Sequence, residues 1–267
     1  MVPAEAPIQA LFHADGDGFT AAPSTRGPWD AAMMHGGAAA ALLARAIEAT
    51  EPGSDLAVTR LAIEFLGAVP VGPMAVSTSI AKPGRRFQVV EATLSAGGRP
   101  VCLARAVRLR RADMPDAAAA PPTWVEPLPT PATGEPLPQF VEDDGELFYP
   151  DATEIRQVAG ELGSGHVAAW IRLRGDLLPG VPPSPLARAV AAADFTNGLS
   201  WILPFDDWLF VNTELTVHLH RQPEGEWIGV DARTTSDATG IGLATATLHD
   251  LQGPFGVCAQ ALFLERR

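Results

Sequence analysis

Short runs of alternating apolar and polar residues follow a helix built largely from small side chains, and this order occurs twice along the chain. In the first half, His35-Gly-Gly-Ala-Ala-Ala-Ala-Leu-Leu-Ala-Arg-Ala-Ile-Glu-Ala-Thr50 predicts a helix whose core face carries Leu42, Leu43, Ala46 and Ile47. Strands are predicted at 58–65, where Leu61, Ile63 and Phe65 share a face, and at 73–81, 86–95 and 101–109. The turn Lys82-Pro-Gly-Arg85 and the hairpin signal Ala96-Gly-Gly-Arg99 separate the last three. In the second half, Ser184 is a candidate N-cap and Pro185 a first helical residue for a helix over 185–197, which Gly198 would close. Strands are then predicted at 209–220, 227–235, 242–249 and 255–264. Leu61, Ile63 and Phe65 fall opposite Leu215, Val217 and Leu219, and Val101-Cys102 falls opposite Val257-Cys258. Two copies of helix plus meander are a duplication, whereas a solenoid needs more repeats of shorter period.

Each copy also needs an opening strand. Residues 10–20, turning at Asp15-Gly-Asp-Gly18, supply one, and 166–174 is the best candidate for the other. The Asp-Gly pair lacks the later oxygen ligands of a calcium loop and reads as a hairpin turn. Between the copies the Pro-rich stretch 110–138, with its Ala run 117–120, cannot feed a central strand and reads as a stiff spacer. A helix so rich in Ala lets strands approach it closely, as in a hotdog fold, and joining two sheets edge to edge removes exposed edges. The expected class is therefore α+β, a double hotdog: residues 1–111 form the first unit, 112–139 the linker, and 140–267 the second unit with the site.

Composition narrows the function. The 267 residues are 47% hydrophobic with a net charge of −12, enough for a substantial core and opposed to non-specific nucleic-acid binding. No apolar run reaches the roughly 18 residues of a membrane span. The N-terminus has no basic region of a secretory signal, so a cytoplasmic protein with no membrane partner is expected. Cys102 and Cys258 stand apart and outside any CxxC, which disfavours a disulfide scaffold or a zinc ribbon. His218 and His220 form an H-x-H without a clear third ligand, so neither a metal nor a cofactor is expected. No G-x-S-x-G elbow and no G-x-G-x-x-G opening a helix is present.

Gly27-Pro-Trp-Asp30 with His35-Gly-Gly37, the turn Lys82-Pro-Gly-Arg-Arg86, and Asn212-Thr-Glu-Leu-Thr-Val-His-Leu-His-Arg221 carry a resemblance. In this order, over nearly the whole chain, they resemble the thioesterase-like double-hotdog family related to bacterial acyl-CoA thioesterase II. The resemblance implies an acyl-CoA substrate and a water held by three residues: an Asp of the second central helix, a Thr of the following strand and a Gln of the last strand. Asp194 and Gln260 match, whereas the Thr position falls on Asn212. Asn can donate and accept hydrogen bonds, with a different geometry from a hydroxyl. Thr213, its neighbour, should face the other side of the strand.

The residues themselves agree with such chemistry. A thiol of pKa about 8.5 leaves as thiolate without strong acid assistance, so one carboxylate and a fixed water suffice for thioester hydrolysis. Asp194 stands on an Ala and Val run where a carboxylate is unusual, and its plainer alternative is a local backbone bond at the helix end. Gln260 interrupts an apolar strand where the first copy has Ala104, the plainer alternative being an edge residue facing solvent. Asn212 could instead cap a turn. His35, Gly36 and Gly37 open a helix whose N–H groups could meet a carbonyl or phosphate, or the glycines could serve packing alone. Lys82, Arg85 and Arg86 could meet CoA phosphates or form a solvated basic turn. The competing functions are a non-catalytic acyl-CoA binding protein, and a hotdog hydratase with His35 as its proton-shuttling candidate. A homo-oligomer is compatible with either.

Overall fold

The computed structural model describes residues 10–117, 125–139 and 145–267. Its first half contains β1 (Phe12–Asp15), β2 (Gly18–Ala21), α1 (Gly36–Ala49), β3 (Leu56–Phe65), β4 (Pro73–Lys82), β5 (Phe87–Ala96) and β6 (Arg99–Arg110). Then follow β7 (Glu135–Pro136), β8 (Thr153–Glu161), β9 (His166–Leu173), α2 (Pro185–Ala193), α3 (Thr196–Leu199), β10 (Trp208–Asn212), β11 (Glu214–Leu219), β12 (Ile228–Ser236), β13 (Ile241–Asp250) and β14 (Gly253–Arg266).

All strands join one antiparallel sheet in the order β1-β2-β4-β5-β6-β3-β11-β14-β13-β12-β9-β8-β7, with β10 also on β14. The order reads outward symmetrically from the β3–β11 seam. The register is symmetric too: Ile63 pairs with Leu215 and Leu61 with Val217, about a centre at Ala62 and Thr216. Because Leu61 corresponds to Leu215 and Ile63 to Val217 in the repeat, this is the self-complementary pairing of a two-fold axis, made inside one chain. Leu61, Ile63, Leu215 and Val217 are buried on the inner face. Both expected edges are thereby joined, and the chain is the α+β double hotdog read from its sequence. Among the described residues no helix is long and apolar enough to cross a membrane.

Four features depart from the sequence expectation. The helix expected over 185–197 stops at Asp194, and Gly198 lies inside the separate turn α3 instead of closing it. The strand expected over 209–220 is broken at Thr213: Asn212 pairs with Leu262 but Thr216 with Ala259, so one residue is extra on the β10–β11 side. The second unit opens with a hairpin, β8–β9, where a single strand was expected. Within the spacer, Trp170 donates its indole N–H to the Pro129 carbonyl and Glu135–Pro136 adds an edge strand to β8, so this part is docked. Most of the Ala run, residues 118–120, and Phe140 lie outside the described residues.

The end of β11 is tied to the β13–β14 turn by a bidentate ion pair of Arg221 with the buried Asp250 carboxylate. Asp250 also accepts the backbone N–H groups of Glu224 and Gln252 at 2.8 Å. Burial pushes its pKa up, but the guanidinium and these N–H groups outweigh it and hold it below the ordinary value. Its contribution to stability is therefore present above the unfolded pKa of about 3.9 and is lost as pH falls through the lower folded value. Asp250→Asn should cost about 3 kcal/mol at pH 7, since it leaves Arg221 without its counter-charge. Urea unfolding from pH 7 down to pH 3 should show wild type losing more stability than the variant; parallel pH profiles would refute this origin.

Candidate active site

α2 begins with Ser184, whose side chain accepts the Ala187 N–H at 3.0 Å, and continues through Leu186 to Ala193 with nearly every residue buried. It runs antiparallel to α1. The Ser184 hydroxyl donates to Glu48 near the C-terminus of α1, while Asp194 at the end of α2 meets Gly36 at the start of α1. A carboxylate at a helix C-terminus faces the negative end of that helix dipole, an unfavourable place by itself. Here the N-terminus of α1 brings its positive end to the same point.

Amides complete the surroundings of Asp194, which is only 7% exposed. Asn212 Nδ2 donates to Asp194 Oδ1 at 2.9 Å. Gln260 Nε2 donates to Asp194 Oδ1 and to the Asp194 carbonyl, each at 3.3 Å. Gln260 Oε1 accepts the backbone N–H of Asn197 at 2.9 Å, so this fully buried amide is committed to protein partners at both ends. The extra residue at Thr213 turns Asn212 toward Asp194 and leaves Thr213 exposed. The Ala261 N–H, displaced from the regular ladder there, donates to Glu214 Oε1 at 2.8 Å.

The first unit supplies the other side of the site, through His35 and Gly36, two of the residues the sequence offered for substrate binding. His35 caps α1: its Nδ1 accepts the Gly37 N–H at 3.0 Å and also lies 3.0 Å from Asp194 Oδ2. The imidazole packs against the stacked pair Phe148 and Phe195, with ring centroids 4.9 and 4.4 Å away. A Cβ on Gly36 would stand 2.8 Å from Asp194 Oδ2 and 3.0 Å from the tip of Phe65, and one on Gly37 would stand 2.7 Å from the Ala191 carbonyl. Both glycines are thus set by close approach, and one of them faces the carboxylate directly.

The basic turn stands elsewhere. Thr78 and Gln88, on the strands flanking it, bond to Thr50 and Glu51 at the C-terminal end of α1. Asp194 is at the other end of this 14-residue helix, about 20 Å away at 1.5 Å per residue. Lys82, Arg85 and Arg86 are exposed and are not brought to the carboxylate. Asn197, Phe148 and Phe195 were not singled out as site residues. The polar Asn197 just beyond the Ala run was the available signal, whereas nothing in the sequence marks Phe148.

Burial, with the nearby Asp194 charge, pushes the Cys102 and Cys258 thiols up to about 12, which leaves no thiolate nucleophile at neutral pH. Among the described residues no group of three or more His, Cys, Asp or Glu side chains could hold a metal ion. Two cavities, of about 590 and 370 Å³, share His218, Thr247 and Val257 and are not lined by Asp194.

Residues 25–109 match the model of the acyl-CoA thioesterase N-terminal domain, and residues 111–264 that of the acyl-CoA thioesterase C-terminal domain. The chain belongs to the acyl-CoA thioesterase family. No curated protein sequence matches it significantly. Among solved structures it is similar to a conserved hot dog fold protein of unknown function from Alicyclobacillus acidocaldarius (18% identity, TM-score 0.73, 95% of each chain). It is also similar to the tesB protein of Mycobacterium avium subspecies paratuberculosis (17%, TM-score 0.67, 95% of this chain and 96% of that one). A third is acyl-CoA thioesterase II TesB2 of Mycobacterium marinum (14%, TM-score 0.66, 87% and 89%). At these identities the likeness is one of fold, and it extends over both units of this thioesterase-family chain.

The two glycines should respond differently to an added methyl group. Gly37→Ala meets a backbone carbonyl that can move only with its helix, so the urea midpoint should fall by the equivalent of about 1–3 kcal/mol. Gly36→Ala meets side-chain ends that can swing aside and should cost less stability. Equal losses at the two positions would contradict the close contact at Ala191.

Proposed function

We propose that this protein hydrolyses an acyl-CoA thioester to a carboxylic acid and CoA, with Asp194 as the base that activates water. The observation carrying this reading is the meeting of Asp194, Asn212 and Gln260 from the second unit with His35 and Gly36 from the first. Asn212 and Gln260 occupy Asp194 Oδ1, and Oδ2, which faces Gly36 and has His35 Nδ1 at 3.0 Å, keeps a second lone pair for water on the side of the thioester. Water gives its proton to Asp194 as its oxygen attacks the carbonyl carbon, and the C=O electron pair moves to oxygen. The N-terminus of α1 then offers N–H groups and a positive dipole end to that oxyanion. Collapse expels the thiolate, which takes the proton back from Asp194.

In this reading Gln260 orients the carboxylate, because both ends of its amide already have protein partners, and Asn212 takes the place of the Thr implied by the family resemblance. An aromatic cluster adjoins the site and offers the acyl group apolar surface. Phe210 lies two residues before Asn212 on the same face of β10 and packs with Phe205 and Trp29 at ring distances of 4.7 and 5.8 Å. Lys82, Arg85 and Arg86 could serve the CoA phosphates only if the extended pantetheine arm follows α1 toward its C-terminus.

Thiol release from acyl-CoAs of different chain length tests the reading. Wild type should turn over at least one of them, Asp194→Asn should lose about 100-fold or more in kcat, and Asn212→Ala should lose less. Turnover untouched by Asp194→Asn would move the chemistry elsewhere. Binding without turnover at any chain length would instead favour a non-catalytic acyl-CoA binding protein.

A further inference from the structure

His35 Nδ1 has two partners that it cannot satisfy together. The Gly37 N–H points at it from 3.0 Å, and Asp194 Oδ2 lies at the same distance. A neutral imidazole nitrogen is either an N–H donor or a single-lone-pair acceptor. If Nδ1 carries the hydrogen, it donates to Asp194 and repels the Gly37 N–H. If it carries none, it caps Gly37 and turns its lone pair toward a carboxylate oxygen. Phe148 and Phe195, stacked on each other at 5.8 Å, both pack against the ring at 4.9 and 4.4 Å and limit its rotation away from these two partners.

We propose that His35 is a positioning residue whose Nδ1 proton couples the base to the oxyanion donor. In the Nδ1–H tautomer, His35 holds Asp194 Oδ2 and frees the Gly37 N–H for the thioester oxygen; in the Nε2–H tautomer it withdraws that N–H into the helix cap. This deepens the hydrolase reading above and rests on it for the identity of the oxyanion. The step is a redistribution of one hydrogen within a neutral ring by exchange with water, so no oxidant or co-reactant enters. It also gives His35 a reason to be histidine. Ser, Thr, Asn or Asp is the usual N-cap, and their oxygens accept the N–H without being able to let it go by a proton shift.

Two measurements test it. In ¹⁵N-labelled protein, the imidazole signals assigned through His35→Asn should show neutral His35 protonated at Nδ1; an Nε2–H ring in ligand-free protein would overturn the proposal. That experiment needs no turnover, so it stands even if every acyl-CoA is refused and the hydrolase reading falls. The second compares His35→Asp with His35→Asn once thermal melts show both folded. Asp keeps a good cap but offers no hydrogen and sets a second negative charge beside Asp194, so kcat should fall about 100-fold with KM little changed. Asn supplies a capping oxygen and an N–H donor together and should stay within about tenfold of wild type. Equal activity of the Asp and Asn variants would mean that His35 only caps the helix, and would overturn the coupling.

Discussion

Where α1 and α2 pass each other, Gly37 has no side chain and the Ala191 carbonyl stands 2.7 Å from where a Cβ would be, so the two helices are in backbone contact. That closeness is possible because the facing residues are glycine and alanine, and the continuous sheet holds it through the Leu61–Val217 and Ile63–Leu215 pairs of its seam. The antiparallel helices must then bring the N-terminus of one to the C-terminus of the other at both ends of the pair. Each such meeting sets a positive dipole end beside a negative one, a place where a carboxylate is tolerated. The duplication thus created two related places, and the sequence has treated them differently.

At the end where α2 begins, the carboxylate is Glu48. Burial pushes its pKa up, and the Ser184 hydroxyl with the charges of Arg108 and Arg188 partly counters this. Arg108 is itself buried and spends its guanidinium on the Thr50 carbonyl, Gln88 and Ser54, while Gln88 donates to Glu51. Such a connected polar network has its members fixed by one another and is suited to holding structure. At the other end, amides and an imidazole meet Asp194 where arginines stand near Glu48. Amide donors fix the direction of a carboxylate without setting a full countercharge beside it. The register sets Gln260 at the place of Ala106 in the first copy, not of Ala104 as the sequence suggested, because Ile63 pairs with Ala104 and the matching Val217 with Cys258; this alanine–glutamine difference belongs to the same divergence.

Much of this fold was legible because its strands are buried on one face only, so period-two alternation survives in the sequence, and because duplication let each copy check the other. Gln260 was visible for the same reason, as a polar residue at an inward position of an apolar strand. The helix break at Asp194 was not visible. Asp194 and Phe195 both keep right-handed helical angles, and no Gly or Pro marks a stop. The chain turns there because Gln260 and the Thr196 hydroxyl take backbone groups the helix would have used, and those partners come from a distant strand and from the turn itself. The bulge at Thr213 was hidden likewise, since its register is set by β14 on one side and β3 on the other. The contact of His35 with Asp194 crosses the two units, and no local pattern encodes it.

The departure at Asn212 takes on a different meaning in this setting. A threonine hydroxyl in that position could donate its one hydrogen to the carboxylate and accept from water with its oxygen. Asn212 spends one N–H of its amide on Asp194 Oδ1, and its carbonyl oxygen and second N–H remain for other partners. Both functions of the hydroxyl are therefore present, at the ends of a longer and planar group. The longer side chain reaches the carboxylate because the extra residue at Thr213 sets the direction of the strand just after it leaves β10. Substitution and bulge act as one local solution, in which a rigid amide reaches farther than a hydroxyl and the backbone irregularity fixes where it points.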